Sequence, residues 1–445
     1  MLLPLPVQTL ISRLTDAGFT ACAVGGCVRD TLLGLPPKDW DICTSALPEE
    51  MKKVFDREHV VETGLRHGTL TVILDHVPYE ITTYRTEGGY SDHRHPDSVS
   101  FIGQIDQDLS RRDFTINAMA CTPDGEILDL FHGKCDLADG LVRCVGNPEE
   151  RFGEDALRIL RALRFASTLD FRIEEKTARA ARRLYSDLRN VSGERIRKEL
   201  LKLLCGPGVG RILREFSEII SFLLPPLKGS LGFLQRNPHH LFTVWEHTVR
   251  TVENVPPDPV LRLTMLLHDC GKPFTCVLDS RGIGHFPKHQ ACSARLAGPA
   301  LAELHFDRAT ESRILRLIEA HDIHLSTDRK ELLRRLNQFG ESDLRALFQI
   351  HRADRISTGT RNPQHAQEHL EELNASLDEL LRDNPCFTLK DLQVNGQDLQ
   401  EIGLRGKPVG EALHFLLEKV MDGIIPNEKG ALLQAVQQAY PRNPV

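Results

Sequence analysis

Asp39 and Asp41 stand one residue apart, shortly after the segment Val24-Gly25-Gly26-Cys27-Val28-Arg29-Asp30. Asp39-Trp40-Asp41-Ile42-Cys43 reads as a strand, and alternate residues of a strand share a face, so both carboxylates project the same way. Such neighbours repel unless cations lie between them, which makes the pair a cradle for two Mg²⁺ ions about 3.5–4 Å apart. One ion would acidify an attacking hydroxyl, and the other would hold a triphosphate and steady the departing pyrophosphate. Glu80, on a later strand, supplies a third carboxylate. A strand ending at Gly25-Gly26 and entering a helix brings backbone N–H groups close to phosphate. Arg29, one turn into that helix, adds a charge-assisted bond. A lone Gly-Gly or a lone Asp-x-Asp is common, but their order and spacing here are not.

Further along, Asp155, Arg158, Arg161 and Arg164 recur every three residues, the spacing of neighbours on a helix surface. Asp155 accepts hydrogen bonds and Arg158 donates them. Cytosine and adenine both present an amine donor beside a ring-nitrogen acceptor, whereas uracil and guanine reverse both signs. An Asp–Arg edge therefore admits the first pair, and two reversed buried bonds give roughly 10²-fold discrimination.

The second half carries His247, then His268-Asp269-Cys270-Gly271-Lys272, followed by His285, His289, His321-Asp322 and Asp354. Imidazoles and carboxylates converging from separate helices make a mixed N/O site for a divalent metal.

The elements that must position these groups differ between the two halves. Up to residue 140, helix-like and strand-like patterns alternate, with helices at Leu10–Ala17 and Val28–Leu33 and a short strand at Ala21–Val24. Thr69–Leu74 and Tyr79–Tyr84 read as a hairpin, and the polar stretch from Tyr84 to Phe101 reads as a loop. From Glu149 onward helical periodicity dominates, broken at Gly206-Pro207-Gly208, Pro225-Pro226, Pro256-Pro257 and Asn384-Pro385.

The chain of 445 residues is 41% hydrophobic and 26% charged, a globular composition that excludes disorder as the dominant state. Its formal charge is -7, so a nucleic-acid site must be a local basic stripe. Arg143–Lys202 is that stripe, with 15 Lys/Arg against 10 Asp/Glu. Eleven cysteines without a C-x-x-C pair argue against a disulfide framework. Cys27 and Cys43 read as small apolar fillers, and Trp40 and Trp245 as packing residues. The amino terminus lacks a basic signal region, and no apolar run is long enough for a bilayer. A cytoplasmic protein without membrane partners is expected, with its oligomeric state left open.

Taken in order, the first-half motifs resemble the nucleotidyltransferases of the DNA polymerase beta superfamily. More narrowly, they are similar to the class II tRNA nucleotidyltransferases, which are the CCA-adding enzymes and the related poly(A) polymerases. Arg111-Arg112-Asp113-Phe114-Thr115-Ile116-Asn117-Ala118 is similar to the family's ribose- and phosphate-contacting motif. Asp129-Leu130-Phe131-His132-Gly133 with Asp136-Leu137 is similar to its hinge. Glu154-Asp155-Ala156-Leu157-Arg158 with Arg161 and Arg164 is similar to its base-selecting motif, and Gly193-Glu194-Arg195 with Glu199 to its last neck motif. Val394–Leu399 and Pro426-Asn427-Glu428 add a weaker match in the tail. His247, His268, Asp269 and Asp354 match the ligand pattern of the HD superfamily of metal-dependent phosphohydrolases. His289 and His321 are candidates for a second ion, although His321-Asp322 departs from that family's paired histidines.

The resemblance implies an α+β chain. A small polymerase-beta-like head (1–140) is followed by a helical neck for base selection and RNA binding (141–205), an HD-type metal-binding helical domain (206–370) and a helical tRNA-binding tail (371–445). It implies template-independent addition of CCA to tRNA from CTP and ATP, with Gly25, Gly26, Arg29, Arg112, Asp113 and Asn117 on the nucleotide. A loop between Tyr84 and Phe101, with Arg85 and Arg94, favours full CCA addition over CC addition. The alternatives are a poly(A) polymerase, a CC- or A-only enzyme, a protein that is chiefly an HD phosphohydrolase, and a tRNA-binding module without chemistry.

Overall fold

A computed structural model describes residues 1–65, 68–88 and 98–440. The chain separates into two compact units, one of residues 1–228 with 299–307, the other of residues 229–298 with 308–445.

The first unit opens with α1 (Leu5–Asp16), whose Val7, Leu10, Ile11 and Leu14 recur at helical spacing and are fully buried. β1 (Ala21–Val24) is buried on both faces, as suits a central strand. At Gly25 the backbone turns through φ +83°, a conformation that penalises any side chain, and α2 (Gly26–Leu32) starts there, two residues earlier than its apolar pattern suggests. Then come β2 (Asp41–Thr44), α3 (Pro48–Val54), β3 (His59–Gly64), β4 (Thr69–Leu74), β5 (Val77–Thr83), β6 (Arg85–Gly88) and β7 (Ser98–Phe101). After these, α4 (Ile105–Ser110), β8 (Met119–Cys121), β9 (Ile127–Asp129) and α5 (Gly133–Ala138) complete the head.

Seven strands form one mixed sheet in the order β3-β4-β5-β2-β1-β8-β9. The expected hairpin is present as the antiparallel pair β4–β5, while β2 and β5 run parallel. The Tyr84–Phe101 stretch departs from the loop reading. Its described ends pair as an antiparallel ribbon, Arg85 opposite Phe101, and Arg94 lies outside the described residues.

Helices follow: α6 (Pro148–Glu154), α7 (Leu157–Thr168), α8 (Glu175–Leu184), α9 (Gly193–Leu204), α10 (Val209–Glu215) and α11 (Ser217–Leu223). α7 packs on α9, and its Ile159, Leu160, Leu163 and Ala166 have no exposed surface. The neck is not wholly helical, because Leu141–Val142 pairs in parallel with Arg172–Ile173.

The second unit is built from α12 (Val244–Asn254), α13 (Pro259–Leu267), α14 (Lys272–Thr275), the first part of α15 (His289–Glu303), α16 (Arg308–Ala320), α17 (Arg329–Ser357), α18 (Pro363–Arg382), α19 (Gly396–Glu401), α20 (Lys407–Met421) and α21 (Lys429–Ala439). α17 is interrupted at Gly340, where φ is +72° and ψ 167°. A two-residue hairpin pairs Val277–Leu278 with Gly284–His285. Among the described residues, no helix is long and apolar enough to cross a membrane.

Candidate active site

Asp41 is the first residue of β2, and its register partner on the parallel strand β5 is Glu80. Residues in register on adjacent strands point to the same face, so these two carboxylates are neighbours by construction. Asp39 precedes the strand instead of lying within it as expected, yet its charge is felt at Asp41. Burial first, then Asp39 and Glu80, push the Asp41 carboxyl up to about 6. Mutual repulsion of this kind is what a cation relieves, and carboxylate oxygens are the hard donors Mg²⁺ takes. Among the described residues, however, only the histidine clusters of the second unit bring three ligand atoms within 4.8 Å of one another.

The glycine bend adjoins this cluster through Arg112, whose charge acts on Asp41. A Cβ at Gly25 would meet Arg112 Nη1 at 3.0 Å, a tight contact with a flexible guanidinium tip, so the φ of +83° is the stronger reason for glycine here. Arg29 is buried rather than open. Its Nη1 donates to Asn117 Oδ1 at 2.6 Å, its Nε donates to Asp30 Oδ1 at 2.8 Å, and its guanidinium lies 5.0 Å from the Phe165 ring centre. Asn117 Nδ2 in turn donates to Asp113 Oδ1 at 3.2 Å. Asp113 Oδ2 accepts from Arg161 Nε and Nη2 at 2.8 and 2.6 Å. Burial opposes charge on Asp113, but Arg161 and Asn117 hold its carboxyl down to about 2. One polar chain thus runs from the helix after the bend to the α7 arginines.

The expected row on a single helix fails at its first member. Asp155 lies in an extended break between α6 and α7, with φ -141° and ψ 105°. Its Oδ1 accepts from Leu157 N at 3.1 Å, and its Oδ2 from Arg195 Nη2 at 2.7 Å. Arg158 pairs with Glu154 and donates from Nη1 to the carbonyl of Arg151 and from Nη2 to that of Arg111. Asp155 and Arg158 therefore each have other partners rather than forming one continuous edge. Arg161 and Arg164 do share a neighbour, Glu199 on α9, at 3.7 and 2.7 Å.

Arg195 and Glu199 belong to the Gly193-Glu194-Arg195 motif, whose role the sequence left unspecified. Gly193 allows α9 to start against the carbonyl of Glu303, which a Cβ would approach to 2.0 Å. Phe165 was missed altogether, although it sits immediately after Arg164. The guanidinium carbons of Arg164 and Arg161 lie 3.5 and 5.5 Å from its ring centre, a cation–π hub shared with Arg29. Cys27 and Cys43 are buried thiols, that of Cys27 pushed up to about 11 chiefly by burial, in keeping with a filler role.

In the second unit, four imidazoles converge. His247 on α12, His268 at the end of α13, His289 at the start of α15 and His321 after α16 each place Nδ1 against a backbone carbonyl, those of Ser357, Met265, Phe286 and Ile318. Such outer bonds turn the opposite nitrogen inward, the arrangement usual for metal-ligating histidine. The Nε2 atoms lie 3.4, 3.2, 3.4 and 3.8 Å from carboxylate oxygens of Asp269, in the same order. Asp354 Oδ1 is 3.0 Å from His247 Nε2 and 3.6 Å from His268 Nε2. His268 Nε2 and both Asp269 oxygens are buried without a hydrogen bond, although the Lys272 ammonium lies 2.7 Å from Asp269 Oδ2. Orphaned buried donors and acceptors in this number fit a site that takes a cation. A cavity of about 250 Å³ opens beside them, lined also by Asn237, His240 and Lys272. His285 lines it too, but its ring is tied to Asp279 at 3.2 Å, apart from the cluster.

Comparison with known proteins places these units in context. Residues 21–143 match the poly A polymerase head domain, residues 170–227 the RNA and SrmB-binding site of polymerase A, and residues 298–436 tRNA nucleotidyltransferase domain 2. The chain is 36% identical over 442 residues to the CCA-adding enzyme of Limosilactobacillus fermentum, covering 97% of this chain and 96% of that one. It is 47% identical to the CCA-adding enzyme of Lactobacillus helveticus over 235 residues, 53% of this chain and 58% of the relative. The crystal structure of the Bacillus stearothermophilus CCA-adding enzyme in complex with CTP superposes with a TM-score of 0.74 at 30% identity, covering 99% and 98% of the two chains. A Thermotoga maritima CCA-adding enzyme complexed with tRNA, 23% identical with a TM-score of 0.57, shares the fold. With near-complete coverage in both sequence and structure, the chain belongs to the family of CCA-adding enzymes.

Proposed function

We propose that this chain adds CCA to the 3′ end of tRNA, using CTP and ATP and releasing pyrophosphate. The observation that carries the reading is the carboxylate cluster, Asp41 in register with Glu80 and under the charge of Asp39, beside the Gly25 bend and Arg112. Divalent cations held by Asp39 and Asp41, with Glu80 beside them, supply the Lewis-acid charge that acidifies a hydroxyl and stabilises pyrophosphate. Mg²⁺ is the natural ion for an all-oxygen set beside phosphates.

Gly25 and Gly26 let the triphosphate approach the backbone, and Arg112 offers it charge. Asp155 and Arg158 read the base edge after exchanging their present partners Arg195 and Glu154 for the nucleotide. Asp113 and Asn117 hold Arg161 and Arg29 beside it, and Arg164 braces the row on Phe165. The basic neck follows the tRNA backbone. The test is to incubate tRNA transcripts ending before CCA, at CC and at CCA with CTP and ATP. The expected products stop at the same full-length end in all three cases. A long adenylate tail on generic RNA would indicate a poly(A) polymerase instead.

The imidazole–carboxylate cluster supports a second activity in the same chain. His247, His268, Asp269 and Asp354 would hold a divalent metal, and His289 and His321 would be the candidates for a second ion. A phosphoester in the adjoining cavity is the substrate class such a site hydrolyses. Metal analysis of the wild type against His268→Ala tests the binding, and phosphate release from nucleotide monoesters or cyclic phosphates tests the chemistry.

A further inference from the structure

Asp108 on α4 is 1% exposed, an expensive position for a charge unless several donors meet it. Its Oδ1 accepts from Arg111 Nη2 and Nε at 2.7 and 3.0 Å and from the backbone N–H of Arg85 at 3.3 Å. Its Oδ2 accepts from Arg112 Nη2 at 3.2 Å. Arg111 Nε also donates to the carbonyl of Arg85 at 3.1 Å, so both backbone groups of that residue are held. Arg85 is the first residue of β6, at the root of the β6–β7 ribbon. The carbonyl of Arg111 accepts from Arg158 Nη2 at 3.3 Å. Arg112 is the guanidinium against the Gly25 bend.

We infer that Asp108 is a positioning residue for the incoming nucleotide: it locks the root of the β6–β7 ribbon to Arg112 on the phosphate side and, through Arg111, to Arg158 on the base side. The inference rests on the nucleotidyl-transfer reading above. One carboxylate then sets the register between the group that meets phosphate and the group that meets the base. An ordinary structural ion pair would stabilise the head without linking those two functions.

The experiment compares the wild type with Asp108→Asn and Arg111→Lys. It measures KM and kcat for CTP and ATP, UTP misincorporation, tRNA affinity and thermal midpoint. Asp108→Asn keeps shape but removes the charge, and KM for both nucleotides is expected to rise about tenfold or more. UTP exclusion should fall by a similar factor, with tRNA affinity within about twofold of wild type. Arg111→Lys keeps the charge but loses the fork between Asp108 and Arg85, and is expected to relax UTP exclusion while raising KM less. An Asp108→Asn protein with unchanged KM and unchanged UTP exclusion overturns the inference, whatever its stability. Should it fail to fold, unchanged UTP exclusion in Arg111→Lys does the same. A wild type that transfers no CMP would refute the underlying reading instead.

Discussion

At the scale of single residues, the proposed base reading requires Asp155 and Arg158 to exchange their present partners for the nucleotide. The double variant Asp155→Ala, Arg158→Ala should lose roughly 10² of its discrimination against UTP and GTP, read as the ratio of kcat/KM values. Unchanged exclusion would mean that the base is read elsewhere. Arg195→Ala offers a complementary check, since it removes the partner that holds Asp155 at 2.7 Å. Gly25→Ala should cost more than a surface substitution, because it meets both φ +83° and the Arg112 guanidinium. KM for nucleotide should rise in that variant, and an unaltered KM would show that the bend is only a chain reversal. Much at this scale was legible in the sequence. Asp39 and Asp41 were paired from strand alternation, although only Asp41 lies within the strand, and Glu80 was added as a third carboxylate on a later strand, which the register then sets opposite Asp41. Asp108 and Phe165 were not legible: one of two aspartates in a six-residue helix and a lone phenylalanine carry no pattern. Only the tertiary convergence of arginines on them gives them a role.

At the scale of elements, one ionic joint between the Arg111–Ala118 segment and α7 is the pair in which Asp113 accepts from Arg161. Its carboxyl is lowered from 3.8 to about 2, so its stabilisation is fully present above pH about 4 and lost as pH falls towards 2. The shift corresponds to about 2 kcal/mol. Urea unfolding should therefore show Asp113→Asn less stable than wild type at neutral pH, the gap closing between pH 4 and pH 2. A gap independent of pH would dismiss the ionic account. The helical row expected from i, i+3 spacing failed at Asp155 for a local reason. Its carboxylate caps the Leu157 N–H, which ends one helix and begins the next. Residue spacing alone cannot distinguish a helix from two helices sharing a break. The described ends of the Tyr84–Phe101 stretch misled for a related reason, since polar residues in a two-stranded ribbon lack the apolar alternation that marks a buried strand.

At the scale of the whole molecule, the proposed transfer site and the imidazole–carboxylate cluster belong to different compact units. They should therefore fail independently. His268→Ala should lower the bound divalent metal to background while CMP and AMP transfer stays within about twofold, because sites without shared partners are additive. Loss of transfer in that variant would show that the second unit supports the first. The net charge of -7 and the basic Arg143–Lys202 stretch predict tRNA binding that weakens steeply with salt, about 10³-fold between 50 and 200 mM for six neutralised phosphates. The alternation of elements before residue 140 and the helical periodicity after it made the α+β division readable. The imidazole cluster was readable as residue types. Its geometry was not, because the carbonyls that turn each ring inward come from helix ends and, for His289, from the loop at Phe286, which sequence spacing does not reveal.

The proposed function stands on nucleotidyl transfer at Asp39, Asp41 and Glu80. Single-turnover incorporation of CMP into a tRNA ending before CCA, compared between wild type, Asp39→Asn and Asp41→Asn, tests it most directly. Each variant should lose about a thousandfold or more in rate with tRNA affinity nearly intact. Incorporation at the wild-type rate by either variant would contradict it.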